Sequence, residues 1–217
     1  MSGVAAAPAR LVSTFLDGPA GRLEAILRTP AVPRGAAVVA HPHPLHGGTM
    51  HTKVVHRAAR LLSDRFSLAA LRFNFRGVGA SHGSHDDGRG EVDDVLAAAR
   101  WIRREVPEGP LVLGGFSFGS LAALRAAARI PCDALLLIGL PLATWNPPES
   151  APAACPVAWL QGDQDQFSDG GRARVLAERW GWDLRVVPGA DHFFAGRLDE
   201  FEAEAGDALA RILGESA

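Results

Sequence analysis

The chain has 217 residues, 47% of them hydrophobic and 21% charged, with a formal net charge of −2. That length supports a large core, and the balance excludes a disordered chain, a collagen-like repeat and a coiled coil. No overall basic field recommends a nucleic acid or an anionic membrane as partner. In chain order, residues 11–16 and 23–27 read as a strand pair around Gly18-Pro19-Ala20-Gly21. Residues 36–40 form a continuous apolar run, as in a strand buried on both faces. Residues 52–65 carry Val54, Val55, Ala58, Leu61 and Leu62 on one helical face. A strand follows at 68–73, a helix at 91–105, a strand at 111–113 and a helix at 118–129. Strands at 135–138 and 157–160, a helix at 171–180, a strand at 184–187 and a helix at 198–213 complete the chain.

This alternation predicts an α/β protein, one domain over residues 1–217, with about eight strands in a mostly parallel sheet and helices on both faces. The longest apolar run, 134–143, is about half of what a membrane-spanning helix needs. The Ala-rich start has no apolar signal core after its first basic residue, Arg10. A cytoplasmic protein without membrane insertion is the expectation. Cys132 and Cys155 are too few for a disulfide framework and fit no metal spacing, so both are expected as small apolar fillers.

In parallel sheets the chemistry gathers at the carboxyl ends of the strands. After the strand at 111–113 comes Gly115-Phe116-Ser117-Phe118-Gly119, a G-x-S-x-G pattern between a strand and a helix. A tight turn there lifts the Ser117 hydroxyl above the sheet, and side chains at 115 and 119 would collide with neighbouring elements. A serine nucleophile needs a base, and the base needs an orienting acid. Of eight histidines, only His192 follows Ser117 in the chain. It sits in a loop directly after the last strand. The acid is expected after the strand at 157–160, in Gln161-Gly162-Asp163-Gln164-Asp165. Asp165 is preferred because it has room to bend back toward His192, and Asp163 is the alternative. Asp191, adjacent to His192, is expected to brace its loop.

These residues resemble the α/β-hydrolase superfamily, and within it compact, lidless carboxylesterase-like or dienelactone-hydrolase-like serine hydrolases. The matching segments are His41-Pro42-His43-Pro44 with Gly47-Gly48-Thr49-Met50, Arg72-Phe73-Asn74-Phe75-Arg76-Gly77-Val78-Gly79, the Ser117 turn, the Gln161–Asp165 segment and Asp191-His192-Phe193-Phe194. The resemblance implies an oxyanion hole of two backbone N–H groups, one from Phe118 and one from the loop after the third strand. Pro42 and Pro44 have no N–H to give, which leaves His43, the preferred donor, or Leu45. Residues 141–156 show no helical periodicity where larger relatives insert a cap, so no cap domain is expected. Phe116, Trp145 and Phe193 are candidates for an apolar substrate pocket, together with Phe118, Phe167 and Phe194. At least half of these six are expected in the core. The implied activity is hydrolysis of small carboxylic esters or thioesters through an acyl-enzyme, with no cofactor and a small-molecule ester as partner. A non-catalytic binding protein of the same fold, or peptide or polyester cleavage by the same triad, competes with it.

His41-Pro42-His43-Pro44-Leu45-His46 also reads H-x-H-x-x-H, a spacing with which imidazoles bind zinc. Leu45 stands where a metallo-hydrolase carries aspartate, and no metal is expected. His82, His85, Asp86 and Asp87 are read as a solvated loop. Lys53, Arg72 and Arg76 are expected in structural salt bridges.

Overall fold

The computed structural model describes residues 8–214; the Ala-rich N-terminal stretch lies outside them. In chain order the strands are β1 (Arg10–Gly18), β2 (Gly21–Thr29), β3 (Gly35–Ala40), β4 (Leu68–Phe73), β5 (Leu111–Phe116), β6 (Ala134–Ile138), β7 (Val157–Gly162) and β8 (Asp183–Val187). The helices are α1 (Lys53–Asp64), α2 (Gly90–Glu105), α3 (Phe118–Ala127), α4 (Gly170–Trp180) and α5 (Leu198–Leu213). The strands form one sheet in the order β1-β2-β4-β3-β5-β6-β7-β8. The β1–β2 and β2–β4 pairs are antiparallel, and every later pair is parallel.

The apolar runs explain the layers. Each central strand is buried on both faces, so alternate residues feed two cores. Ala36, Val38 and Ala40 of β3 pack with Val95, Leu96 and Ile102 of α2 and Leu121 and Leu124 of α3. Ala37 and Val39 of the same strand pack with Val54, Val55 and Leu62 of α1 and Phe201 and Leu209 of α5. Burying a side chain of this size contributes roughly 1.5–3 kcal/mol, so both helical layers are held chiefly by these faces.

The topology places the site. From β3 the chain moves to β4 on one side and returns to β5 on the other. The loops leaving β3 and β5 therefore diverge at their carboxyl ends and open a crevice between them, the switch point where ligands of such sheets bind. No cap covers the crevice. Between β6 and β7, residues 139–156 run as turns and loop without a helix. None of the helices among the described residues is long and apolar enough to cross a membrane.

Two expectations change here. Arg76 is in a salt bridge with the fully buried Asp94 (2.7 Å), but the Arg72 guanidinium instead donates to the Met50 carbonyl (2.8 Å). Lys53 opens α1 on the surface. The two cysteines are half-buried and not separate fillers: their sulfurs lie 3.2 Å apart at the amino ends of β6 and β7. Because these strands are parallel neighbours, the residues preceding them are brought side by side across 23 positions of sequence.

Candidate active site

β5 runs straight into the turn that carries Ser117. The strand is longer than its apolar pattern suggested, extending to Phe116, and α3 begins at the next residue after the serine. Ser117 has φ +56° and ψ −119°, a conformation that costs a non-glycine residue on the order of 1–3 kcal/mol. Its N–H donates to the Ile138 carbonyl of β6 (2.8 Å), and its own carbonyl accepts from Ser120 N–H (2.9 Å), which hold the turn. The two glycines permit the close approach. A Cβ on Gly115 would lie 2.2 Å from the Gly119 oxygen, and one on Gly119 would lie 2.5 Å from the Ala40 and His41 oxygens. The first N–H groups of α3 are thereby pressed against the end of β3, facing the crevice with their positive dipole end.

His192 follows β8 and is buried at 3% exposure. Its Nδ1 lies 2.7 Å from Asp165 Oδ2. That contact places a hydrogen on Nδ1, so that in the neutral imidazole Nε2 is the acceptor. The rings of Phe116, Phe167 and Phe193 surround the imidazole at 4.9, 4.7 and 5.3 Å between centroids. Asp165 is fixed in turn by Phe167 N–H to Oδ1 (2.8 Å) and by the side-chain amide of Gln161 to Oδ2. The other two aspartates serve the backbone. Asp163 accepts from Gly189 N–H (2.7 Å), and Asp191 accepts from Phe193 and Ala195 N–H (3.0 and 2.9 Å).

The loop after β3 forms the facing wall. His41 is wholly buried, with Nδ1 2.6 Å from the Pro42 carbonyl and Nε2 accepting from Phe75 N–H (3.0 Å). Burial outweighs the backbone bond and pushes its pKa down to about 4, so the ring is neutral. With both nitrogens engaged, His41 is not available as a metal ligand beside His43 and His46. Among the described residues no group of three or more His, Cys, Asp or Glu is arranged to hold a metal ion. Past it, the chain tightens into a short 3₁₀ turn at Pro44–His46 that the sequence pattern did not reveal. Within this turn Leu45 N–H donates to His43 Nδ1 (3.2 Å), and His46 and Gly48 N–H donate to the His43 carbonyl (both 3.1 Å). The His43 N–H makes no such bond among the described residues.

Ser117, Phe118, His43 and His192 line one pocket of about 250 Å³. Its other walls are Pro42, His46, Gly47, Gly48 and Thr52 on one side, Leu121 at the base, and Pro141, Thr144, Phe167 and Phe193 on the other. No Lys, Arg, Asp or Glu is among them. The expected pocket residues divide. Phe193 lines the pocket and is 51% exposed. Phe116 does not: it is wholly buried beneath His192, against the α1–α5 core. Trp145 does not either: it packs on Trp180 against the opposite core. Phe194 also turns inward, onto Phe201. His85, expected in a solvated loop, packs on His43 and Phe118 at 5.1 and 5.8 Å between centroids, with Nδ1 2.8 Å from the buried Glu91 carboxylate. Burial and the nearby His46 and His85 hold the His43 side-chain pKa below its usual value.

Residues 45–185 match the family model described as the alpha/beta hydrolase fold. The chain belongs to this family. It is similar to a lidless α/β serine hydrolase from Xanthomonas campestris, with 35% identity, a TM-score of 0.85, and coverage of 99% of this chain and 100% of that one. An α/β serine hydrolase homologue from Coxiella burnetii is 33% identical, with a TM-score of 0.83 over 92% of this chain and 97% of its own. An uncharacterised protein of Rickettsia prowazekii is 37% identical over 212 residues, covering 91% of this chain and 88% of that protein. This α/β hydrolase is thus a capless member, and hydrolysis is its general class of reaction.

Proposed function

We propose that this α/β hydrolase is a serine carboxylesterase acting on small, uncharged carboxylic esters or thioesters. The observation that carries it is the strained Ser117 at the start of α3, sharing one pocket with His192, whose Nδ1 is held by Asp165. In this mechanism His192 Nε2 takes the Ser117 proton as Oγ attacks the acyl carbon. The N–H groups of Phe118 and His43 receive the oxyanion, each contributing roughly 3 kcal/mol to the transition state. Among the described residues the His43 N–H makes no hydrogen bond, whereas the Leu45 N–H is taken up by His43 Nδ1, which favours His43 over Leu45. Asp165 keeps hydrogen on Nδ1 and stabilises the imidazolium without accepting its proton. The imidazolium protonates the departing alkoxide or thiolate. Water, deprotonated by the same Nε2, then releases the acid from the acyl-enzyme.

The pocket lining supports a neutral acyl group. An anionic substrate would be desolvated there without a cation to meet it. The open mouth admits water for deacylation. A p-nitrophenyl ester series from acetate to decanoate tests the function. Turnover is expected on the shorter chains, with kcat lowered on the order of 10⁴-fold or more in Ser117→Ala. Equal turnover by Ser117→Ala would contradict the proposal.

A further inference from the structure

Gln161 is the penultimate residue of β7, a strand otherwise without polar side chains apart from the Trp159 indole N–H, and it is fully buried. A buried amide without partners is costly, so its bonds decide why it is there. The Trp159 indole N–H, two residues earlier on the same face of β7, donates to Gln161 Oε1 (3.1 Å). An indole nitrogen can only donate, so it fixes which end of the amide is oxygen. The amide NH₂ must then point at Asp165, where Nε2 donates to Oδ2, the same oxygen that accepts from His192 Nδ1. Trp159 is itself held edge-on by Trp182, 6.0 Å away between centroids.

We propose that Gln161 is a positioning residue for hydrolysis: anchored by Trp159, its amide aims the Asp165 carboxylate at His192 and shares the charge on Oδ2. This rests on the reading of His192 and Asp165 given above. With Phe167 N–H on Oδ1, three donors satisfy the carboxylate, which fixes its plane. Removing the amide leaves more negative charge on the oxygen facing His192. The imidazolium is then stabilised relative to the neutral ring.

The test is the pH dependence of p-nitrophenyl acetate hydrolysis by wild type, Gln161→Leu, Trp159→Phe and Asp165→Asn. Gln161→Leu is expected to lower kcat roughly tenfold or more with KM little changed, as loss of an orienting partner does. The acid limb of its kcat/KM profile should move to higher pH. Trp159→Phe keeps the ring, loses the anchor, and should shift the limb the same way by less; it carries the test if Gln161→Leu does not fold. If both fold with a lower melting temperature but an unchanged profile and kcat, Gln161 is merely structural and the proposal falls. Asp165→Asn separates the two levels. A large loss there with no effect at Gln161 overturns only the positioning role. Wild-type kcat in Asp165→Asn overturns the reading of the site itself.

A separate observation lies at the other end of the sheet. Cys132 and Cys155 are half-buried and their sulfurs are in contact at 3.2 Å. We infer that they form a dithiol that a low-molecular-weight disulfide oxidises. The Cys155 thiolate attacks one sulfur of that disulfide and expels the first thiolate. Cys132 then gives its proton to solvent and attacks Cys155 Sγ, expelling the second. Two thiols are oxidised to one disulfide, and the reagent is reduced to two thiols. Incubation with glutathione disulfide and intact-mass analysis test this. The expected product has lost two hydrogens and both titratable thiols, keeps its esterase activity, and melts at a higher temperature. Cys132→Ser should stop at a single glutathione adduct. Two adducts on the wild type, or no reaction, would overturn the inference.

Discussion

On one side of the pocket, the loop after β3 is pinned from within. His41 ties it to Phe75, Asn74 Oδ1 accepts from Met50 N–H (2.8 Å), and Arg72 donates to the Met50 carbonyl. On the other side, Phe167 and Phe193 are 41% and 51% exposed, and Thr144 stands on a surface turn whose N–H and Oγ1 both donate to the Pro141 carbonyl (3.2 and 3.3 Å), with Ala143 N–H donating to the Phe167 carbonyl (3.0 Å). In the proposed mechanism the pinned wall carries the backbone donor that meets the developing charge, a job that works only if the donor is already in place. The exposed wall carries apolar surface that substrates can cover. Geometry on one side and adaptable contact on the other account for a site that fixes its chemistry while leaving its substrate range to a few side chains.

The most severe way to break this contrast is to deform the pinned wall. A Cβ on Gly48 would lie 2.2 Å from the Pro42 oxygen, so Gly48→Ala must displace the turn that orients the His43 N–H. Esterase kcat is expected to fall roughly 10²–10³-fold, the cost of one oxyanion donor, while the KM for p-nitrophenyl acetate changes little. An effect confined to KM would show that this wall binds substrate without stabilising the oxyanion.

Next in size is the titration of the pin. His41 has a pKa near 4 in the folded protein against 6.5 for the free side chain, because burial disfavours the charged ring. Between these values the unfolded chain binds more protons than the folded one. Stability from this group is therefore fully present above about pH 6.5 and is lost as pH falls toward 4, up to about 3 kcal/mol in all. Urea unfolding from pH 7 to pH 4 should show this slope in wild type and a flatter one in His41→Gln. Parallel slopes would remove His41 as the pin.

The smallest effect belongs to the exposed wall. Phe193→Ala removes surface that a bound acyl group would cover, about 1 kcal/mol, so KM should rise several-fold with kcat nearly unchanged. A kcat loss matching that of Gly48→Ala would erase the distinction between the walls.

The strand–helix alternation was legible because parallel strands buried on both faces leave unbroken apolar runs between amphipathic helices. The positions of Ser117 and His192 at strand ends were legible for the same reason, since chain order assigns each loop to a strand. Aromatic side chains were not. A phenylalanine looks alike whether it packs under the imidazole, as Phe116 does, or stands at the mouth, as Phe193 does. Trp145 lies in a segment with no periodicity from which a direction could be taken. The turn at Pro44–His46 is too short to leave a pattern. Gln161 does leave a signal, a lone amide near the end of an apolar strand, and a buried polar group implies a partner. The Cys132–Cys155 contact follows from strand order, which the alternation alone does not give.

The most direct test of the central claim is labelling with a fluorophosphonate, followed by intact-mass analysis and peptide mapping. If Ser117 is the nucleophile, one adduct per chain forms, on Ser117, and none on Ser117→Ala. An adduct on another residue, or an unlabelled protein that still hydrolyses esters, would contradict it.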